Sequence, residues 1–162
     1  MKLKPALPET DHEKFMHLAM LQAQRAAARD EVPVGCVIVR NGKVISRGYN
    51  LRESSKDPTA HAEMIAIRKA AKKLGAWRLT GCTIYVTLEP CPMCAGAIVN
   101  ARIPKVVYGC VDPKSGACGT LMNIVSDARL NHRAGVEKDV LGRDSSIMLK
   151  IFFKNKRQKA SA

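Results

Sequence analysis

The first regular pattern of hydrophobic and polar positions begins near His12. From there to Arg29, Phe15, Leu18, Ala19 and Gln22 fall along one side of a helix, with Thr10 or Asp11 able to cap it. Asp30-Glu31-Val32-Pro33 ends it. Val34 to Arg40 is apolar and β-branched, which predicts a buried strand. Asn41-Gly42 is a strong two-residue hairpin signal, and Lys43 to Tyr49 follows as a second strand. So short a turn makes these two strands antiparallel. A polar loop runs from Asn50 to Asp57. Helical spacing returns from Thr59 to Leu74, with Asp57 or Thr59 as cap, Pro58 suited to the start and Gly75 near the stop. Thr83 to Leu88 predicts a third strand, Pro92 to Asn100 a third helix and Lys105 to Cys110 a fourth strand. Asp112 to Gly119 reads as a glycine-containing loop and Gly135 to Val140 as a short fifth strand. Ser145 to Lys159 predicts a C-terminal helix carrying Phe152 and Phe153, one of them expected in the core.

This alternation predicts an α/β fold: one mixed, five-stranded sheet covered by helices on both faces. A chain of 162 residues suits one domain over 1–162, with its core at about 13–158 and a basic C-terminal helix at about 145–159. No repeat or linker interrupts it. The hydrophobic share of 46% suits a globular protein. No apolar run approaches the ~20 residues of a membrane span. The stretch Met1 to Pro8 lacks an apolar signal-peptide core, so a cytoplasmic location and reduced thiols are expected. Cys36, Cys82, Cys110 and Cys118 stand singly and read as ordinary buried thiols. Lys and Arg total 27 against 14 Asp and Glu, a formal charge of +13. Such a bias favours a polyanionic partner over simple solubility, without separating RNA from DNA or a membrane surface.

Two short stretches carry chemistry. Pro58-Thr59-Ala60-His61-Ala62-Glu63 reads H-x-E, and Glu89-Pro90-Cys91-Pro92-Met93-Cys94 reads P-C-x-x-C. One imidazole and two thiolates, His61, Cys91 and Cys94, suit a tetrahedral Zn²⁺, one per subunit. Three protein ligands leave a fourth position for water, as in catalytic zinc sites. Cys91 and Cys94 span the first turn of the predicted third helix, so both sulfurs can face one point. The alternatives are a structural zinc site or two buried thiols for the cysteines, and a helix-cap histidine for His61. Glu63 lies two residues from His61, a spacing that does not share a helix face. It is therefore poorly placed as a ligand and better placed to carry protons; a solvated helix glutamate is the competing reading.

The order H-x-E then P-C-x-x-C is the signature of zinc nucleobase deaminases. The match extends to Val32-Pro33-Val34-Gly35, Asp57-Pro58, Val86-Thr87-Leu88, Met93-Cys94-Ala95-Gly96-Ala97 and Asn131-His132-Arg133. Over about Glu13 to Gln158 the chain resembles the bacterial tRNA-specific adenosine deaminases. The resemblance implies the three-layer α/β/α cytidine-deaminase-like fold and a homodimer with sites near the subunit boundary. It also implies deamination of adenosine to inosine at the wobble position of an arginine tRNA anticodon. Glu63 would serve as base and acid in turn, moving protons from water to ring N1 and to the leaving nitrogen of adenine. By the same resemblance, Asn50 and the Ala62 backbone N–H would hold the base, Asn50 being otherwise a turn residue. Asp112, Lys114, Phe153 and Arg157 match positions near the anticodon stem-loop. Lys154, Lys156, Arg157 and Lys159 could grip phosphate or form only a solvated face. Pro113 departs from the family's usual small residue in the loop.

Two other functions compete. A deaminase of free guanine, cytosine or nucleotide substrates would need neither the charge nor the basic C-terminus. A non-catalytic zinc module binding nucleic acid would normally close its metal with four Cys or His ligands. No fourth ligand stands near the C-x-x-C, and such a module has no use for Glu63.

Overall fold

A computed structural model of the chain describes residues 10–162; the reading of Met1 to Pro8 lies outside the described residues. Helix α1 spans Asp11–Ala27 and starts with a capping box, in which Thr10 Oγ1 accepts from the Glu13 N–H and Glu13 accepts from the Thr10 N–H. Strands β1 (Gly35–Arg40) and β2 (Lys43–Tyr49) form the expected hairpin. Asn41 and Gly42 both take positive φ, 50° and 71°, as a tight turn of this hand requires. The expected polar loop holds one helical turn, α2 (Arg52–Ser55). The remaining elements are α3 (Ala62–Leu74), β3 (Cys82–Leu88), α4 (Pro92–Asn100), β4 (Lys105–Cys110), β5 (Gly135–Glu137) and α5 (Gly142–Ala160). Strand β5 is shorter than its sequence suggests, and α5 starts three residues earlier than the expected Ser145.

Among the described residues the five strands form one sheet in the order β2-β1-β3-β4-β5. The first three pair antiparallel, while β3, β4 and β5 run parallel. Successive side chains along a strand point to opposite faces. Cys36, Ile38, Ile84, Val86, Val106 and Tyr108 accordingly pack against α3 and α4. Val37, Val39, Tyr85 and Val107 pack against Phe15, Met16 and Ala19 of α1 on the other face, where α5 also lies. The result is the expected three-layer α/β/α arrangement with a mixed sheet.

Two departures bear on the site. Helix α3 begins at Ala62 and not at Thr59. Asp57 spends its carboxylate on the Thr59 N–H at 2.8 Å and the Thr59 hydroxyl at 2.7 Å, which holds a turn ahead of the helix. His61 thereby becomes the extended residue at the helix entrance. A Cβ on Gly48 would lie 2.3 Å from the Ala62 carbonyl, so only glycine lets β2 run this close to the first turn of α3. The second departure concerns the aromatic pair on α5. Neither ring is in the core: Phe152 is half-buried and Phe153 is 43% exposed. The basic half of α5 stands clear of the sheet, so the two rings pack edge-to-face on each other.

Candidate metal centre and active site

His61 and Cys91 hold equivalent positions, each being the extended N-cap residue of its helix, α3 or α4. Neither side chain makes a capping hydrogen bond, so the reading of His61 as a satisfied cap does not hold. Pro92 sets the first position of α4, and Cys94 follows in the first turn. The Cys91 and Cys94 Sγ atoms each lie 3.6 Å from His61 Nδ1, and all three ligand atoms fall within 4.8 Å of one another. Ligands about 2.0 and 2.3 Å from one tetrahedral centre would stand about 3.6 Å apart, so the donor set fits zinc in kind and in spacing. Cys94 is fully buried beneath the site, while His61 and Cys91 reach its surface.

Electrostatics within the group are strongly coupled. The Cys94 thiol, then His61, hydrogen-bond to Cys91 and hold its thiol down at about 4, against the opposing effect of burial. Cys94 is driven upward by its bond to Cys91 and by burial. His61 is raised, chiefly by its contact with Cys91. Glu63 sits one residue into α3, only 3% exposed, and burial raises its carboxyl above the ordinary range. The nearby Cys94 thiol and the charge of His61 pull the other way, which sets Glu63 beside the ligand group without its joining it.

These residues floor a cavity of about 740 Å³, within the roughly 300–1,000 Å³ of small-molecule sites. Glu63, His61, Cys91, Asn50, Ala62, Asp112, Lys114, Phe153 and Arg157 all line it, so the structure brings these candidates to one cavity; Cys94 lies behind. Ala62, the first residue of α3, carries an N–H with no acceptor within its own helix. Asn50 is 7% exposed; its Nδ2 donates to the Val32 carbonyl and its Oδ1 accepts from the Arg52 N–H. Cys110, expected to be buried, is half-buried on the cavity wall. Arg52, Ser146, Leu149 and Lys150 also line the cavity and carry no signal in the sequence, since loops and a helix distant along the chain converge there.

Two buried carboxylates escaped the sequence reading. Glu31 accepts from the Ser54 hydroxyl and N–H, both at 2.6 Å, and from the Glu53 N–H, tying the end of α1 to α2. Burial raises its carboxyl, but these donors outweigh it and the net displacement is downward. Glu89 precedes the P-C-x-x-C turn and binds the segment 112–120.

A mixed α/β/α fold with a His-Cys-Cys group at two helix entrances defines a zinc deaminase of the cytidine-deaminase-like class. The model of the cytidine and deoxycytidylate deaminase zinc-binding region matches residues 9–110. Within that class the chain belongs to the tRNA-specific adenosine deaminase family. It is 50% identical over 153 residues to the tRNA-specific adenosine deaminase of Bacillus subtilis (strain 168), covering 94% of this chain and 95% of that protein. A solved structure from work on A-to-I editing by tRNA:A34 deaminases is 44% identical, with a TM-score of 0.80 over 83% of this chain and 98% of that one. A guanine deaminase structure from Bacillus subtilis is 47% identical with a TM-score of 0.61, over 63% of this chain and 66% of that one.

Proposed function

We propose that this chain deaminates adenosine to inosine in tRNA, at the wobble position of an anticodon and specifically that of an arginine tRNA. The observation that carries the reading is a buried Glu63 beside a three-ligand metal site, under a rim that bears Lys114, Lys150, Phe153 and Arg157. Likeness to the tRNA-specific enzymes over nearly the whole chain supports the same reading. His61, Cys91 and Cys94 would hold one zinc, which when bound polarises water and lowers its pKa toward about 7.

The chain's own groups do the rest. The Ala62 N–H and Asn50 hold the base edge. Glu63 takes a proton from water and delivers it to ring N1 as the water oxygen bonds to C6. Glu63 then takes the remaining proton from the oxygen now bonded to C6 and passes it to the exocyclic nitrogen; the C6–N bond breaks, the C6 carbonyl forms, and ammonia leaves. The buried floor keeps bulk water from the carboxylate. Phe153 and the neighbouring cations suit an unstacked, phosphate-flanked nucleotide.

The partner is a tRNA anticodon stem-loop. A second copy of the chain completes the proposed assembly, and exposed Leu121, Met122 and Leu130 offer apolar surface for it. A cytoplasmic setting fits thiol ligands that must stay reduced, and no helix among the described residues is long and apolar enough to cross a membrane. The test is incubation of purified protein with total tRNA and mapping of inosine. Inosine at the wobble position of an arginine tRNA is the expected result. Turnover of free guanine with no inosine in tRNA would favour the small-substrate reading that the guanine deaminase likeness keeps open.

A further inference from the structure

Glu89 follows β3 and stands two residues before the ligand Cys91. It is 2% exposed, and among the described residues it has no ion-pair partner. A buried carboxylate is costly unless its oxygens are satisfied. Every donor to Glu89 comes from one segment. Oε1 accepts from the Asp112 N–H at 3.4 Å and from the Thr120 hydroxyl; Oε2 accepts from the Cys118 N–H at 3.1 Å and the Thr120 N–H at 3.3 Å. Just beyond Glu89, the Pro90 carbonyl accepts from the Ala117 N–H at 2.9 Å. A Cβ on Gly116 would fall 2.3 Å from Glu89 Oε2, so the segment lies directly on the carboxylate.

The segment has no helix or strand of its own to hold it, yet Asp112, Pro113, Lys114 and Ser115 form one wall of the cavity. Asp112 in turn closes the wall's tip: its carboxylate accepts from the Lys114 N–H at 2.9 Å and the Ser115 hydroxyl at 2.8 Å. The order of support runs from Glu89 to the Asp112 backbone, then through the Asp112 side chain to Lys114. We infer that Glu89 is a positioning residue: it fixes the 112–120 wall relative to the metal-ligand turn and so sets the affinity of the site for an RNA loop. This rests on the RNA-deaminating reading above. A wall held before binding spares the cost of ordering it during binding.

Glu89→Gln tests the inference, because the amide keeps the shape and changes the hydrogen bonding. With its nitrogen at the Oε1 position, the amide meets the Asp112 N–H donor to donor, while the Thr120 hydroxyl can turn to accept. The expected result is one zinc per chain and faster amide hydrogen exchange over residues 112–120. KM for an anticodon stem-loop should rise about tenfold while kcat falls less than about threefold, the size expected for one lost bond to a charged group. Thr120→Val, which leaves the Asp112 contact in place, should move KM the same way by less. Unchanged exchange together with unchanged KM overturns the inference. So does a fall confined to kcat with zinc loss, which would assign Glu89 to the metal site. If the unaltered protein fails to turn over any stem-loop, the RNA-deaminating reading fails, and exchange over 112–120 still decides whether Glu89 holds the wall.

Discussion

His61 and Cys91 show how a single residue's backbone conformation prepares chemistry. Each is extended at a helix entrance, and each leaves its side chain uncommitted to capping. Cys91→Ala removes one of three ligands, so metal analysis should show large zinc loss; full retention would overturn the ligand assignment. On the proposed role of Glu63 as a proton carrier that holds no metal, Glu63→Ala should keep its zinc and lose about 10²–10⁴-fold in deamination. Zinc loss with unfolding would make Glu63 structural. That His61, Cys91, Cys94 and Glu63 come together was legible because metal chemistry demands particular side chains at particular spacings. Glu31 and Glu89 were not, since most of their donors are backbone N–H groups, and the single Ser or Thr hydroxyl that joins them lies more than twenty residues along the chain. Glu31 has a measurable signature of its own. Its carboxyl is depressed in the folded chain, so its stabilisation is present above the unfolded value of about 4.3 and is lost as pH falls through the lower folded value. Glu31→Gln should therefore be less stable than the unaltered chain near neutral pH, and the gap should narrow below about pH 4. Denaturant melts at several pH values read that gap, and a pH-independent gap would contradict the linkage.

At the scale of elements, hydrophobic periodicity fixed type and order well and failed at entrances. The strands at Lys43–Tyr49 and Lys105–Cys110 and the helix at Pro92–Asn100 sit where the pattern put them. Helix α3 starts late because the Asp57 side chain competes for the same backbone donors, and a propensity argument does not rank those two uses. Helix α2 was invisible because one turn is too short for a period and draws its support from Glu31, far back in the chain. The aromatic pair on α5 misled for the opposite reason: apolar rings implied a core, whereas the helix leaves Phe152 half-buried and brings Phe153 to the cavity rim. Phe153 and Arg157, four apart, share one face of α5. Removing Lys154 to Ala162 should weaken tRNA binding and flatten its salt dependence by about 0.7–0.9 in log–log slope per lost phosphate contact. Zinc content serves as the folding control. An unchanged slope in a zinc-loaded truncation would reduce the basic end to a solvated face.

For the whole molecule, the formal charge of +13 and the cavity belong to one argument. Charge draws a polyanion in without reading sequence, and the buried floor selects the base. A folded anticodon stem-loop should therefore be turned over far better than free adenosine, since its loop presents bases already unpaired. Comparable kcat/KM for the two would remove the reason for the basic rim. The hairpin turn lies elsewhere. Strand β1 begins beside the cavity at Gly35 and ends at Arg40, opposite the start of β3, so Asn41-Gly42 sits about 20 Å from the site by strand rise. Both residues are exposed, and a Cβ on Gly42 would meet nothing. That turn is a natural point of attachment: a fluorophore, an affinity handle or an entire fused module grafted there would face away from the incoming nucleic acid.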